Sequence, residues 1–242
     1  MITVYKYGKL DRIPDLSPFV TKLETYLRMA KIPYQPAGGD HRVAPKGKLP
    51  YVGIDGRLLG DSNLIIEHLV AQHGDALGDD RLAPEQRAVA RAFRSMLESD
   101  FYFVLAYSRW WRDEDFAIYR PALSAYCGSL GLPRILWPLA LSQVRRGMKD
   151  QLRQQGIARH THDEVMAMGR AQLEAVSTFL GDKPFLLGER PSALDATAFA
   201  MLTGILWAPF ESPIKAFAQS RPNLSAYCDR MAAAYWSDAP SP

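Results

Sequence analysis

The chain has 242 residues, 48% hydrophobic and 23% charged, with 17 Gly and 17 Pro, which excludes a disordered or low-complexity chain and allows one large or two small cores. Twenty-nine basic against 26 acidic residues leave +3 at a sequence pI of about 8.8, a surplus that predicts no electrostatic footprint for nucleic acid or anionic lipid. Two cysteines, Cys127 and Cys228, exclude a disulfide framework and a thiolate metal site and favour a reducing compartment.

Residues 2–7 are β-branched and aromatic and predict a strand, followed by a polar loop from Gly8 to about Leu16. Ser17-Pro18 then opens a helix with Phe19, Val20, Leu23, Leu27 and Ala30 at helical spacing. Pro33 ends it, Tyr34-Gln35 predicts a short strand, and Asp40 to Lys48 has room for only a short helix. Asp55-Gly56 between Tyr51–Ile54 and Arg57–Leu59 predicts a tight hairpin. Ser62 starts a helix with Ile65, Ile66, Leu69 and Val70 on one side.

From about Asp75 the pattern changes. Gly74, Gly78 and Pro84 mark a linker, and long helical patterns follow over Pro84–Trp111, Asp163–Leu180 and Ser192–Trp207. Between them, residues 113–162 are broken by Pro121, Gly128, Gly131, Pro133 and Pro138. The expected organisation is a small α/β domain over residues 1–75 and an all-helical domain over 84–236, with a disordered Pro-rich tail. The N-terminus has no apolar run of signal-peptide length, and the most apolar stretches are seven residues each, far short of the roughly 20 a bilayer needs. These features predict a cytoplasmic protein without a transmembrane segment.

Several chemistries fall on inspection. There is no phosphate loop, no Gly-x-Gly-x-x-Gly after the first strand, no Cys-x-x-Cys and no Gly-x-Ser-x-Gly elbow. His160 and His162 lack a cysteine nearby, and no metal is expected. The remaining features suit a small anionic thiol. Ser17 stands at a helix start, where N–H groups, the helix dipole and a hydroxyl favour a thiolate. Leu49-Pro50 before a strand suits a cis-proline turn with open backbone groups. At the next helix start, Ser62 suits a carboxylate and Asp61 an ammonium. The plainer alternatives are that Ser17, Asp61 and Ser62 only cap helices and that Leu49-Pro50 is an ordinary trans turn.

Ala44-Pro45-Lys46-Gly47-Lys48-Leu49-Pro50-Tyr51-Val52 resembles the Pro-x-Gly-Lys-Val-Pro segment of the glutathione S-transferase superfamily. Asp55-Gly56 through Leu59, Asp61, Ser62, Ile65 and Leu69 resemble the stretch that follows it. Ser192-Ala193-Leu194-Asp195 resembles the family's capping box, with Phe199 and Leu202 behind it. Ser17 through Leu23 and on to Tyr34 is similar to the branch containing failed axon connections proteins and metaxins. The resemblance implies a thioredoxin-like first domain, an all-α second domain and a homodimer. It also implies glutathione as co-substrate, with Leu49-Pro50 at the cysteinyl backbone, Asp61 and Ser62 at the γ-glutamyl end and Lys48 near a carboxylate. Ser17 is the catalytic candidate, with Tyr7 and Asp15 in reserve because the Lys9–Leu16 loop is longer than in most transferases. Tyr102, Tyr107, Trp110 and Trp111 are candidates for a pocket taking a hydrophobic electrophile, against the alternative of core packing. Ser142 to Arg159, with five basic residues and one acid, reads as a solvated helix face or a partner-binding patch. The expected function is transfer of the glutathione thiolate; the alternative is a non-catalytic, metaxin-like binding or assembly protein.

Overall fold

The structure, a computed structural model, describes residues 1–237. The expected tail therefore lies, from residue 238 on, outside the described residues. Strand β1 (Ile2–Lys6) leads through the polar loop to α1 (Pro18–Met29), then β2 (Tyr34–Gly38), β3 (Tyr51–Ile54), β4 (Arg57–Gly60) and α2 (Ser62–His73). The sheet order is β2-β1-β3-β4, with β1 parallel to β2 and antiparallel to β3. This is the thioredoxin-like arrangement. Asp55 and Gly56 take φ of 49° and 74°, the paired positive values that a tight hairpin needs. The stretch between β2 and β3 holds only turns, because its polar run has no apolar face to bury a helix.

The second half is helical: α3 (Pro84–Ser95), α4 (Tyr102–Trp110), α5 (Asp113–Ser129), α6 (Trp137–Gln155), α7 (His162–Leu180), α8 (Ala193–Leu206), α9 (Pro213–Gln219) and α10 (Pro222–Tyr235). The long Pro84–Trp111 pattern is not one uniform helix. A π-helical segment, Met96–Phe101, joins α3 to α4. Pro121, expected to break the chain, lies inside α5. It is tolerated because Pro121 and Ala117, whose carbonyl loses its helical partner, both face solvent while Phe116, Tyr119, Leu123, Tyr126 and Cys127 are buried.

Helix α1 packs on α2 and on α8, so the core runs continuously from the sheet into the helices. Helix α8 is buried from Leu194 to Leu206, and its N-terminus is held by the Ser192–Asp195 pair, with Asp195 Oδ2 accepting from Ser192 N–H and Oγ at 2.8 Å each and Asp195 N–H donating to the Ser192 carbonyl. Among the described residues, no helix is long and apolar enough to cross a membrane, and no cluster of three or more His, Cys, Asp or Glu is placed to hold a metal.

Candidate active site

The long loop bulges outward without spreading its ends. Leu16 N–H donates to the Gly8 carbonyl at 2.8 Å, and Leu10 and Ile13 pair across the loop tip. Ile13 then packs with Ala208 and Phe210. The buried Asp15 completes the closure: its two oxygens accept from Gly8 N–H at 2.7 Å and Ser17 N–H at 2.8 Å. From the helical side, Arg109 Nη1 and Tyr119 Oη donate to the Leu16 carbonyl at 3.0 and 3.1 Å. Ser17 is thereby set beside the end of β1 at the N-terminus of α1, where Pro18 carries no N–H, Val20 and Thr21 N–H donate to the Ser17 carbonyl, and Phe19 N–H is left without a partner among the described residues.

Ser17 is the N-cap residue of α1, yet its side chain makes no capping hydrogen bond. Its hydroxyl is not consumed by the plainer role. Of the two reserve candidates, Asp15 is pushed up to about 7, chiefly by burial, while the Gly8 and Ser17 N–H groups oppose that rise. Both its oxygens are engaged in holding the loop. Burial, and then the neighbouring Tyr126, push the Tyr7 phenol well above its ordinary range, so it is a neutral hydrogen-bond donor. Its ring meets Tyr126 edge-on at 4.7 Å, and Tyr126 Oη lies 3.3 Å from His41 Nδ1.

Leu49-Pro50 is cis. Leu49 is buried, and its N–H and carbonyl take part in none of the hydrogen bonds among the described residues. Val20, on the first turn of α1, packs with Ala44, Leu49 and Tyr51, and Tyr7 lies against that cluster. The proline turn and the start of α1 are therefore neighbours. Lys48 beside it is exposed.

Asp61 and Ser62 begin α2. Asp61, at φ 82°, caps the helix through Oδ1, which accepts from Asn63 and Leu64 N–H at 2.9 and 3.3 Å. Its other oxygen makes no capping contact. Ser62 is buried, with Lys22 Nζ 3.3 Å from its Oγ. Lys22, 1% exposed at its side chain, also reaches Asn63 Oδ1 and Glu98 Oε1, each at 2.6 Å. Glu98 comes from the π-helical segment and accepts in addition from Asn63 Nδ2 at 2.7 Å and Thr197 Oγ1 at 3.0 Å. Burial pulls the Lys22 amine down, while Glu98 pulls it up. Ser17, Leu49 and Ser62 are thus tied together through α1, by Val20 on one side and Lys22 on the other.

The four aromatic candidates do not form one wall. The Tyr102 ring lies 4.9 Å from that of Phe19, which follows Ser17-Pro18 in the first turn of α1. Trp110 is turned to α5, against Phe116 and Tyr119. Tyr107 stacks on Trp111 at 5.6 Å, with His162 at 6.0 Å, and Trp111 meets Lys149 and Arg153 of α6. Helical spacing put them on one segment; it also splits them over different faces.

Arg109, Tyr119, Tyr126, His41 and the Lys22–Glu98 pair were missed. Two left a trace in the sequence: Lys22 interrupts the apolar stripe of α1, and Arg109 stands inside the run Tyr107-Ser108-Arg109-Trp110. A long charged residue on a buried face signals a partner elsewhere. Tyr126 and His41 carry no such signal.

A family model described as the glutathione S-transferase N-terminal domain matches residues 18–116, and one described as the C-terminal domain matches 169–231. The chain is 35% identical over 241 residues to an isoprene-epoxide–glutathione S-transferase of Rhodococcus sp. (strain AD45), covering 97% of this chain and 99% of the relative. It is 30% identical to Failed axon connections of Drosophila melanogaster, covering 96% of this chain but 57% of that longer protein, and 23% identical to mouse Metaxin-2 over 89% and 81%. Among solved structures, glutathione S-transferase III in apo form overlays with a TM-score of 0.61 at 15% identity, covering 100% and 99%. A transferase from Methylobacterium radiotolerans in complex with glutathione sulfonate overlays at 0.58 and 17%, covering 100% and 95%.

Proposed function

The chain belongs to the glutathione S-transferase superfamily, and we propose that it binds glutathione and transfers its thiolate to a small hydrophobic epoxide. The observation that carries this is Leu49: a buried residue whose N–H and carbonyl have no partner among the described residues, next to a helix start whose serine hydroxyl makes no capping bond. Buried backbone groups are almost always paired, so an unpaired donor and acceptor side by side mark a place for an extended peptide. The cysteinyl unit of glutathione pairs there. Its γ-glutamyl carboxylate meets Ser62 and the α2 N-terminus, its ammonium meets the free oxygen of Asp61, and Lys48 attends the glycyl carboxylate.

The sulfur then lies at the α1 N-terminus, where the dipole and the Ser17 hydroxyl stabilise the thiolate and lower its pKa. The thiolate attacks an epoxide carbon, the C–S bond forms as the C–O bond breaks, and the alkoxide takes a proton from water. The epoxide is the class acted on by the Rhodococcus relative, and Tyr102 and Tyr7 supply the apolar surface beside the sulfur. A cytoplasmic homodimer completes the proposal, with sedimentation equilibrium as the check on the dimer.

Similarity to Failed axon connections and Metaxin-2 favours one other reading, a binding or assembly protein without the chemistry. Calorimetry with glutathione, followed by thiol consumption with isoprene monoepoxide, separates them. Binding with turnover supports transfer, and binding without turnover supports the second reading. Silence at millimolar glutathione ends the transferase proposal.

A further inference from the structure

The hairpin of α5 and α6 carries a surface the thiol site does not use. A groove of about 710 Å³ runs between the two helices, and its lining includes Arg120, Arg134, Arg145, Arg146, Lys149 and Arg153 but no carboxylate. Asp113 pairs with Arg145 at 2.7 Å and Asp150 with Arg153 at 3.4 Å. Arg120, Arg134 and Arg146 have no acidic partner among the described residues, and Lys149 forms no ion pair there, although the Asp113 carboxylate acts on it from beside Arg145. Arg134 and Lys149 instead lie over the rings of Trp137 and Trp111, at 5.4 and 5.3 Å. Burial and the positive charge of Arg145 hold the Lys149 amine below its ordinary range. The surplus of +3 for the whole chain averages over this local concentration of cations, four of which belong to the basic Ser142–Arg159 segment.

At the tip of the same hairpin, large aliphatic side chains stand in solvent: Ile135 is 86% exposed, Leu139 59% and Leu136 46%. Exposed aliphatic groups close together at the hairpin tip, with Arg134 beside them in the chain, mark an interaction surface. The two family models leave residues 117–168 unmatched, so all of this hairpin but the first turn of α5 lies outside what they describe.

The chemistry of the surface selects its partner. A two-fold contact centred on the patch would set cations against cations, and no carboxylate lines the groove to offset them. A soluble anion would satisfy the groove but leave the aliphatic tip in water. An anionic bilayer answers both, since its headgroups attract the cations and its interface accepts the side chains. We propose that the α5–α6 hairpin docks on an anionic phospholipid surface, with Ile135, Leu136 and Leu139 entering the interface and Arg120, Arg134, Arg146 and Lys149 against headgroup phosphates. Docking of this kind is peripheral, and it is independent of glutathione.

The test is co-sedimentation of the full chain with vesicles of phosphatidylcholine alone or mixed with phosphatidylserine. The expected result is binding to the mixed vesicles that weakens as salt is added, with little binding to phosphatidylcholine. Arg120→Gln with Arg146→Gln should weaken binding about twenty-five-fold, roughly fivefold per charge. Ile135→Ser with Leu139→Ser should weaken it while keeping the salt dependence. All four side chains are exposed, so both double variants should melt with the parent. The proposal is overturned by absence of binding to the mixed vesicles, by equal binding to phosphatidylcholine, or by binding that neither variant changes. Capture of inositol hexakisphosphate by a chain that ignores vesicles would overturn it in favour of a soluble polyanion.

Discussion

Ser17→Ala tests the thiol end because the structure separates two effects of the hydroxyl. A serine that caps a helix through its side chain is worth about 1 kcal/mol, and losing that from a chain of this size lowers Tm by roughly 2–4 °C. Here the Ser17 side chain makes no capping bond, and the contact that pins its backbone, Ser17 N–H to Asp15, survives in alanine. The expected change in Tm is therefore below about 1 °C. A hydrogen bond to a charged sulfur is worth about 1.5–3 kcal/mol, which makes kcat fall about ten- to a hundredfold. KM for glutathione should barely move, because Leu49, Asp61 and Ser62 are untouched. Steady-state rates with isoprene monoepoxide and a melting curve on the same sample read both quantities. A drop of several degrees with kcat intact would show that Ser17 is only structural, and Tyr7 would become the remaining donor.

Asp61→Asn keeps a good N-cap at a positive φ that asparagine tolerates, so stability should hold while KM for glutathione rises about tenfold or more through loss of the ammonium contact; an unchanged KM would remove Asp61 from the site. Glu98→Ala strands the buried Lys22 ammonium and should cost about 3–5 kcal/mol in urea denaturation, whereas Glu98→Leu combined with Lys22→Met should recover part of it. If the double variant is no more stable than Glu98→Ala, the pair is not what holds that junction. Asp15 holds a proton in the folded state up to about pH 7 but in the unfolded chain only to about pH 4, so its contribution to stability is lost as pH rises through that window. Asp15→Asn should flatten that part of the profile of urea midpoint against pH, and an unaltered slope would refute the assignment.

What the sequence determined by itself was local. The Asp55-Gly56 hairpin, the Ser17-Pro18 helix start, the Ser192–Asp195 box and the change from strand to helical periodicity all depend on residues within a turn or two of each other, where backbone sterics and capping act. The positions of Leu49-Pro50 and Asp61-Ser62 were legible for the same reason, since each marks the start of an element. Tertiary structure decided what those positions meet. Glu98 finds Lys22 only because the π-helical segment, α1 and α8 converge, and Arg109 reaches the Leu16 carbonyl only because α4 crosses the closed loop. Periodicity showed that Tyr102, Tyr107, Trp110 and Trp111 share a helix, but not which neighbour each face would meet. Pro121 was misleading because its cost is local while the burial that outweighs it is not. The cationic groove was legible only in part: the basic Ser142–Arg159 segment stood out in the sequence, but Arg120 and Arg134 lie outside it, and only the packing of α5 against α6 brings their charges to the same surface.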